Sequence, residues 1–340
     1  MLKVGLDIGT KTIVSARRGE DGRPIFKHEI NGFYEFPNPD AFTKQLLTKQ
    51  QIPFVDRDGR IYALGRKAEQ FAYAVNSTLR RPMADGTISR EQEAIALMAS
   101  IVHAIMGKLE QDALIYYCVP SNAINKQVNV QMHQKIVQMI IDGYKRSQVN
   151  IKANHISESR ALAIASEKDN VISISLGAGM VNVGYYISKM PIFEFALVGS
   201  GDYIDIEAAR QFGYDPDRPD KRSQETPTTI CKRKEAIDLT KTIASMDRVD
   251  QAVAVAYQVL IENVVKGIID GFVNNPDKAK VLEVPFVLAG GTAMPIGFGA
   301  YFEKVLRGMR LPFVVTEVIV HPRTLFAVAE GCLIAAEACE

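Results

Sequence analysis

The chain has 340 residues, 47% of them hydrophobic, and its 40 basic residues nearly balance its 39 acidic residues. This length exceeds one comfortable hydrophobic core and predicts two or more domains, and the near-neutral charge argues against nucleic acid as a direct partner. Four cysteines and five histidines are scattered along the chain, a distribution that offers no metal cluster and favours a reducing compartment.

The sequence predicts no membrane-spanning segment, because no apolar run approaches the roughly 20 residues that cross a bilayer. The first predicted strand begins at residue 2, which leaves no room for a signal peptide or an amphipathic anchor. A short apolar loop could still touch a membrane, although nothing in the sequence indicates it. We therefore expect a cytoplasmic protein.

The first predicted element, at residues 3–13, is a strand, a tight turn and a second strand. Asp7 emerges near the end of the first strand, where it can face a cation through water, as magnesium usually prefers. Gly9 lets the backbone lie close to a bulky anion, so that the amides of Thr10, Lys11 and Thr12 can point at phosphate oxygens. An ordinary hairpin would use the same residues for the turn alone.

The chain up to residue 105 alternates hairpins with helices. Turn residues predict one hairpin at 12–29, an irregular excursion at 31–51, a second hairpin at 52–64 and a helix at 65–75. A further helix is predicted to begin at Ser89 as N-cap residue, with Glu91 and Glu93 in its first turn. Apolar residues at helical spacing, from Ile95 to Ile105, predict that this helix packs in the core.

Strands and helices then alternate. A buried strand at 113–119 precedes a helix at 125–144, and a strand at about 149–156 leads into a helix that begins at Ser157 and carries Glu158 in its first turn. This order indicates an α/β lobe with its functional groups at the strand ends.

The second half repeats the opening pattern. Residues 170–186 again form a strand, a glycine turn and a strand, residues 191–198 add a third strand, and a helix follows with Gly201 and Asp202 at its start. The two hairpins begin about 168 residues apart, which predicts an internally duplicated fold with a cleft between its halves. A nucleotide fits such a cleft.

Several segments, taken together and in order, resemble the superfamily of actin, sugar kinases and DnaK-type chaperone ATPases, and within it the bacterial actins of the MreB and MamK kind. Residues 7–10 resemble the first phosphate motif, residues 174–179 the second, and residues 287–295 the adenosine motif. Other segments that resemble the family lie at residues 81–88, 119–121, 158–161, 201–202 and 322–331.

The resemblance implies an α/β, duplicated ribonuclease-H-like fold with two lobes around a nucleotide cleft. The core of lobe I would comprise residues 1–30 and 66–155, with residues 31–65 as its small outer subdomain. The core of lobe II would comprise residues 156–210 and 266–340, with residues 211–265 as an outer helical subdomain.

The resemblance also implies a site for ATP or ADP with Mg²⁺. Asp7 would orient the water shell of the magnesium ion, and Glu158 would position the attacking water, although charge compensation at a helix N-terminus also explains that carboxylate. Lys232 would lie in the helix that closes over adenine, although a basic helical face explains it equally well. The remaining binding residues would be Gly9, Thr10, Lys11, Thr12, Gly177, Ala178, Gly179, Gly201, Asp202, Gly290, Gly291, Thr292 and Met294.

The second phosphate loop departs from the family pattern. Ser175 stands where the family has an aspartate, and Met180, Val181 and Asn182 stand where it has two threonines and an acid. We therefore expect nucleotide to bind while metal affinity and hydrolysis are weakened, unless the residues around the ion are arranged differently.

Three functional classes follow. The first is a cytoskeletal filament that stacks head to tail on ATP, serving cell shape, organelle positioning or DNA segregation, with envelope or cargo adaptors as further partners. The second is an adaptor that responds to nucleotide without polymerising. The third, least favoured, is a sugar-kinase-type phosphotransferase, for which the sequence offers no acid-rich insertion to build a hydroxyl-binding pocket.

Overall fold

The computed structural model describes residues 1–75, 77, 79–89, 91–144, 149–219, 222–276 and 283–339. The strands are β1 Leu2–Ile8, β2 Thr12–Arg18, β3 Pro24–Ile30, β4 Phe33–Glu35, β5 Phe54–Arg57, β6 Arg60–Leu64, β7 Met83–Ala84, β8 Thr87–Ile88, β9 Ala113–Val119, β10 Ile151–Ser157, β11 Val171–Leu176, β12 Met180–Ile187, β13 Met190–Val198, β14 Glu283–Ala289 and β15 Val314–Val320. The helices are α1 Ala41–Lys49, α2 Gly65–Ala74, α3 Gln92–Met106, α4 Val130–Gly143, α5 Glu158–Ala165, α6 Gly201–Arg210, α7 Pro227–Ala236, α8 Arg248–Asn274, α9 Phe298–Arg307 and α10 Ala327–Glu337.

Two five-stranded sheets have the same topology. The first has the order β3-β2-β1-β9-β10 and the second the order β13-β12-β11-β14-β15. In each sheet the first three strands pair antiparallel as consecutive hairpins, and the last two pair parallel. This repeat confirms the predicted α/β fold with an internal duplication.

Each sheet has its own hydrophobic core. In lobe I, Val4, Leu6 and Ile8 of β1 pack with α3 and α4. Of the predicted core positions of α3, Met98 and Val102 are fully buried and Ile95 is partly buried. In lobe II, β11 and β12 pack against α6, α8 and α9. A separate three-stranded sheet, β4-β6-β5, forms with α1 and α2 a small outer unit on lobe I.

Helices α5 and α10 lie between the two sheets and cross each other. A Cβ atom on Gly331 of α10 would overlap the backbone carbonyl of Ala161 in α5. A Cβ atom on Gly5 of β1 would likewise overlap the carbonyl oxygen of Ala329 in α10. Glycine at these two positions therefore sets how closely the helices approach each other and the first sheet.

Helix α8 has the length and the mean hydropathy, 1.5, of a membrane-spanning segment, although no such segment was predicted from the sequence. Its apolar residues, including Val253, Leu260 and Ile268, are buried in the core of lobe II. The helix therefore packs as a core element of this lobe. The predicted subdomain boundary between residues 265 and 266 falls inside it.

Two predicted helix starts are wrong. Helix α3 begins at Gln92 with Glu91 as its N-cap residue. The Ser89 hydroxyl caps no amide of the described helix, and the Ser89 amide donates to the carbonyl of Pro82, which closes the β7–β8 hairpin. Helix α4 begins at Val130, because the side chain of Asn125 bonds the backbone of Val198 as donor and acceptor, each at 2.8 Å. The excursion predicted as irregular at 31–51 contains β4 and α1.

Candidate functional site

A cavity of about 380 Å³ lies between the lobes. It is reached by the turns after β1, β11 and β14 and by the first residues of α5 and α6. The structure brings together there all the predicted site residues except Lys232. These are Asp7, Gly9, Thr10, Lys11, Thr12, Glu158, Gly177, Ala178, Gly179, Gly201, Asp202, Gly290, Gly291, Thr292 and Met294.

The two glycine turns face each other across the cavity. Each is closed by one backbone hydrogen bond, Gly9 N to Thr12 O at 3.1 Å and Gly177 N to Met180 O at 3.0 Å. A Cβ atom on Gly179 would stand 2.8 Å from the hydroxyl oxygen of Thr10. Only glycine lets the second turn approach the first this closely.

Both turns present backbone amides that have no internal partner. Among the described residues, none accepts a hydrogen bond from the amides of Thr10, Lys11, Ala178 or Gly179. Successive amides in a tight turn form a concave anion site. The two turns are therefore suited to hold an anion such as a phosphate group from opposite sides.

Two partly buried carboxylates, Asp7 and Glu158, line the cavity beside the turns. The thiol of Cys118 donates to Asp7 Oδ1 at 3.2 Å, and burial raises the pKa of Asp7 to about 6. Burial raises the pKa of Glu158 to about 8, the Asp7 carboxylate adds to this, and the side chains of Ser175 and Asn182 oppose it. A cation would favour the charged form of both groups.

The carboxylate pair fits a magnesium ion held largely by water and ligand oxygens. Within the described ranges, no group of three or more His, Cys, Asp or Glu side chains could hold a metal ion. A metal at this site would thus take most of its ligand oxygens from water and from the bound molecule.

Asn182 ties the two lobes together beside Glu158. It is fully buried on β12 in lobe II, and its Oδ1 accepts from the amide of Ser121, which follows β9 in lobe I, at 2.8 Å. The asparagine that departs from the family pattern therefore replaces an acid with a structural link between the lobes.

Helix α7 contributes to the cavity three residues that were not predicted from the sequence. Cys231, Lys234 and Glu235 line the cavity, since spacings of three and four residues place them on one face of the helix. Lys234 is buried, and its ammonium lies 2.7 Å from Asp205 Oδ1 of α6 and donates to the carbonyl of Gly201 at 2.6 Å. This helical spacing was the signal that could have found them.

Lys232 lies outside the cavity. Its ammonium sits 4.0 Å from the centre of the Tyr73 ring of α2. Lys232 is one residue from Cys231, about 100° around α7, and its side chain is directed toward α2.

The turn after β14 borders the cavity with two glycines that differ in role. Gly290 has φ +99°, and a Cβ atom there would overlap the carbonyl of Leu176, so this glycine serves backbone packing. A Cβ atom on Gly291 would meet only Leu325, at 4.0 Å, and the residue borders open space. Met294 is exposed at the same edge.

A family comparison and a structural comparison characterise the whole chain. The pattern that defines the Volactin family matches residues 2–336. No protein with a curated description matches the sequence.

Solved structures with the same fold cover nearly the whole chain. A MamK double helical filament has a TM-score of 0.71 at 19% identity, covering 99% of this chain and 98% of that one. A non-polymerising MamK mutant bound to AMPPNP has a TM-score of 0.57 at 21% identity, with the same coverage. The ethanolamine utilization protein EutJ from Carboxydothermus hydrogenoformans has a TM-score of 0.54 at 15% identity, covering 98% and 89%.

These similarities confirm the predicted two-lobed actin-like fold, with each lobe built on one of the two matching sheets. The family pattern extends over both lobes and all three turns that border the cavity. The chain therefore belongs to the Volactin family and has the two-lobed actin-like fold that MamK also has.

Proposed function

We propose that this protein binds ATP with Mg²⁺ in the cavity between its lobes and polymerises head to tail into cytoskeletal filaments. One observation carries the binding part: the two glycine turns face each other, and their amides have no acceptor among the residues that the structure describes. The polymerisation part is supported by the similarity of fold to a MamK double helical filament.

Different residues of the cavity would hold different parts of the nucleotide. The amides of both turns would bind the phosphates, and the hydroxyl of Thr10 lies between the turns. The turn after β14 and the cavity face of α7 would border the nucleoside. Magnesium, held through water near Asp7, would offset the phosphate charge.

Hydrolysis is expected to be slow. Burial raises the pKa of Glu158 to about 8 in the empty protein, so this group can act as a base only where bound Mg²⁺ favours its charged form. In addition, Met180 presents a thioether where the family has a threonine hydroxyl, and a Cβ atom on the neighbouring Gly86 would overlap its side chain. Fewer polar groups are therefore available to hold the attacking water.

Light scattering and pelleting of the purified protein, with and without ATP and Mg²⁺ and at rising protein concentration, test the proposal. We expect a sharp critical concentration that falls when ATP is present, with phosphate release that lags assembly or is absent. Binding of ATP without assembly at any concentration would instead support a nucleotide-responsive adaptor, which the altered second turn at Met180 and Asn182 favours as the second candidate.

A further inference from the structure

The side chain of Lys11 spans the cleft. It belongs to the first glycine turn of lobe I, and its ammonium lies 2.6 Å from Glu235 Oε1 and 3.2 Å from Cys231 Sγ, both on α7 of lobe II. Burial alone would lower the pKa of Lys11, but Cys231 and Glu235 outweigh burial and raise it, so the side chain is a cation. All three residues line the cavity.

Lys11 is also the cationic side chain best placed to bind an anion together with the backbone amides of the glycine turns. Three described cationic side chains line the cavity, Lys11, Arg66 and Lys234. Lys234 pairs with Asp205, and Arg66 Nη2 lies 3.0 Å from a ring nitrogen of His28. Lys11 alone of these three belongs to a turn with unpartnered amides, yet its ammonium is turned toward α7.

Helix α7 is held to lobe I at a second point, where Lys232 lies over Tyr73 of α2. In the first contact Lys11 of lobe I reaches Glu235 of α7, and in the second Lys232 of α7 reaches Tyr73 of lobe I. The helix therefore closes one side of the cavity through two lysines, and only the Lys11 contact involves a residue of the glycine turns.

The Lys11–Glu235 pair is weak enough to be replaced. The two side chains are 27% and 59% exposed, and pairs screened by water to this degree change an equilibrium by about fivefold at most. A triphosphate offers several negative charges, and hydrogen bonds between charged groups are the stronger kind. The anion can therefore compete successfully for the lysine.

We propose that Lys11 is a positioning residue that exchanges Glu235 for the phosphate end of the nucleotide, and that Glu235 is the internal competitor that lowers phosphate affinity. This inference rests on the proposed function. Binding of the nucleotide would thereby release α7 from the first glycine turn, so that the phosphate replaces one direct contact between the lobes.

A double-mutant cycle on AMPPNP affinity, measured by calorimetry with Mg²⁺, tests the exchange. Glu235→Gln should bind AMPPNP about two- to fivefold more tightly than wild type, since the competitor has lost its charge. Lys11→Met should bind about tenfold less tightly, and in that background Glu235→Gln should no longer change the affinity. Lys11→Gln is measured in parallel, so that a folding defect of one variant cannot decide the result.

Glu317→Gln is the matched control, because Glu317 also forms an exposed pair with a lysine, Lys168 at 2.8 Å, and does not line the cavity. Its AMPPNP affinity should equal that of wild type. Weaker binding by Glu235→Gln, or the same gain with and without Lys11, would overturn the exchange while AMPPNP binding by wild type still supported the proposed function. No binding by wild type would overturn both.

Discussion

Gly331 of α10 lies directly against the backbone of Ala161 of α5, at the point where the two central helices cross. Gly331→Ala places a methyl group on that carbonyl, and neither helix can move without disturbing a sheet. We expect a loss of several kcal/mol in the free energy of unfolding, as for other overpacked core positions. Urea denaturation measures it.

The control for this substitution is Gly143→Ala at the end of α4, where a Cβ atom would meet only His103, at 4.0 Å. That variant should be neutral or slightly more stable, because alanine favours helix. Equal stability of the two variants would contradict the close helix crossing.

The stability of the empty protein should depend on pH through Glu158. Its folded pKa, about 8, lies above the ordinary value of 4.5, so the folded state binds this proton more tightly than the unfolded state does. The contribution is fully present below about pH 4.5 and is lost as pH rises to about 8, with a slope of at most about 1.4 kcal/mol per pH unit. Asp7 adds a similar loss between about pH 4 and 6.

Glu158→Gln removes the titrating group, so between pH 6 and 8 this variant should lose less stability than wild type in urea denaturation without nucleotide or metal. Glu110→Gln, at an exposed carboxylate, should retain the wild-type slope. A slope that is unchanged in Glu158→Gln would show that this group does not carry the raised pKa.

The buried pair of Lys234 and Asp205 should be sensitive to loss of one partner. Lys234→Met leaves the Asp205 carboxylate buried without its cation, and we expect a loss of about 3–5 kcal/mol in the free energy of unfolding. The double variant with Asp205→Leu should recover most of this loss. Lys232→Met, two residues away and outside the cavity, should cost about 1 kcal/mol or less. Chemical denaturation of all three distinguishes them.

Restoring the family acid at Ser175 should make stability depend on metal. Ser175 is buried beside Glu158, so Ser175→Asp adds a third carboxylate to Asp7 and Glu158, and the empty protein should lose about 1–3 kcal/mol. Mg²⁺ with ADP should recover that loss. Thermal unfolding with and without Mg²⁺ checks it, and Ser173→Ala, a neighbouring buried serine of β11, should show no such metal dependence. A Ser175→Asp variant insensitive to Mg²⁺ would contradict a metal near this strand.

The repeated hairpins were predictable because each depends on local features, alternating apolar residues and glycine turns that recur at Gly9 and Gly177. The close contact of Gly5 with Ala329 was not predictable, since the two residues are more than three hundred positions apart and only the packed structure brings them together. Lys232 was misplaced because a run of basic residues does not show which face of its helix is buried. The face of α7 that lines the cavity is the one that carries Lys234, whose burial depends on its pairing with Asp205 of α6.

The position of α10 has a consequence for synthesis of the protein. Residues 327–337 cover β1, β2 and β9 of the first sheet, while α5, from the first half of the chain, packs mainly on β11 and β12 of the second. On the ribosome, one apolar face of the first sheet must therefore stay uncovered until α10 has been made. A nascent or truncated chain that lacks α10 is expected to need a chaperone, and neither half should fold when expressed alone.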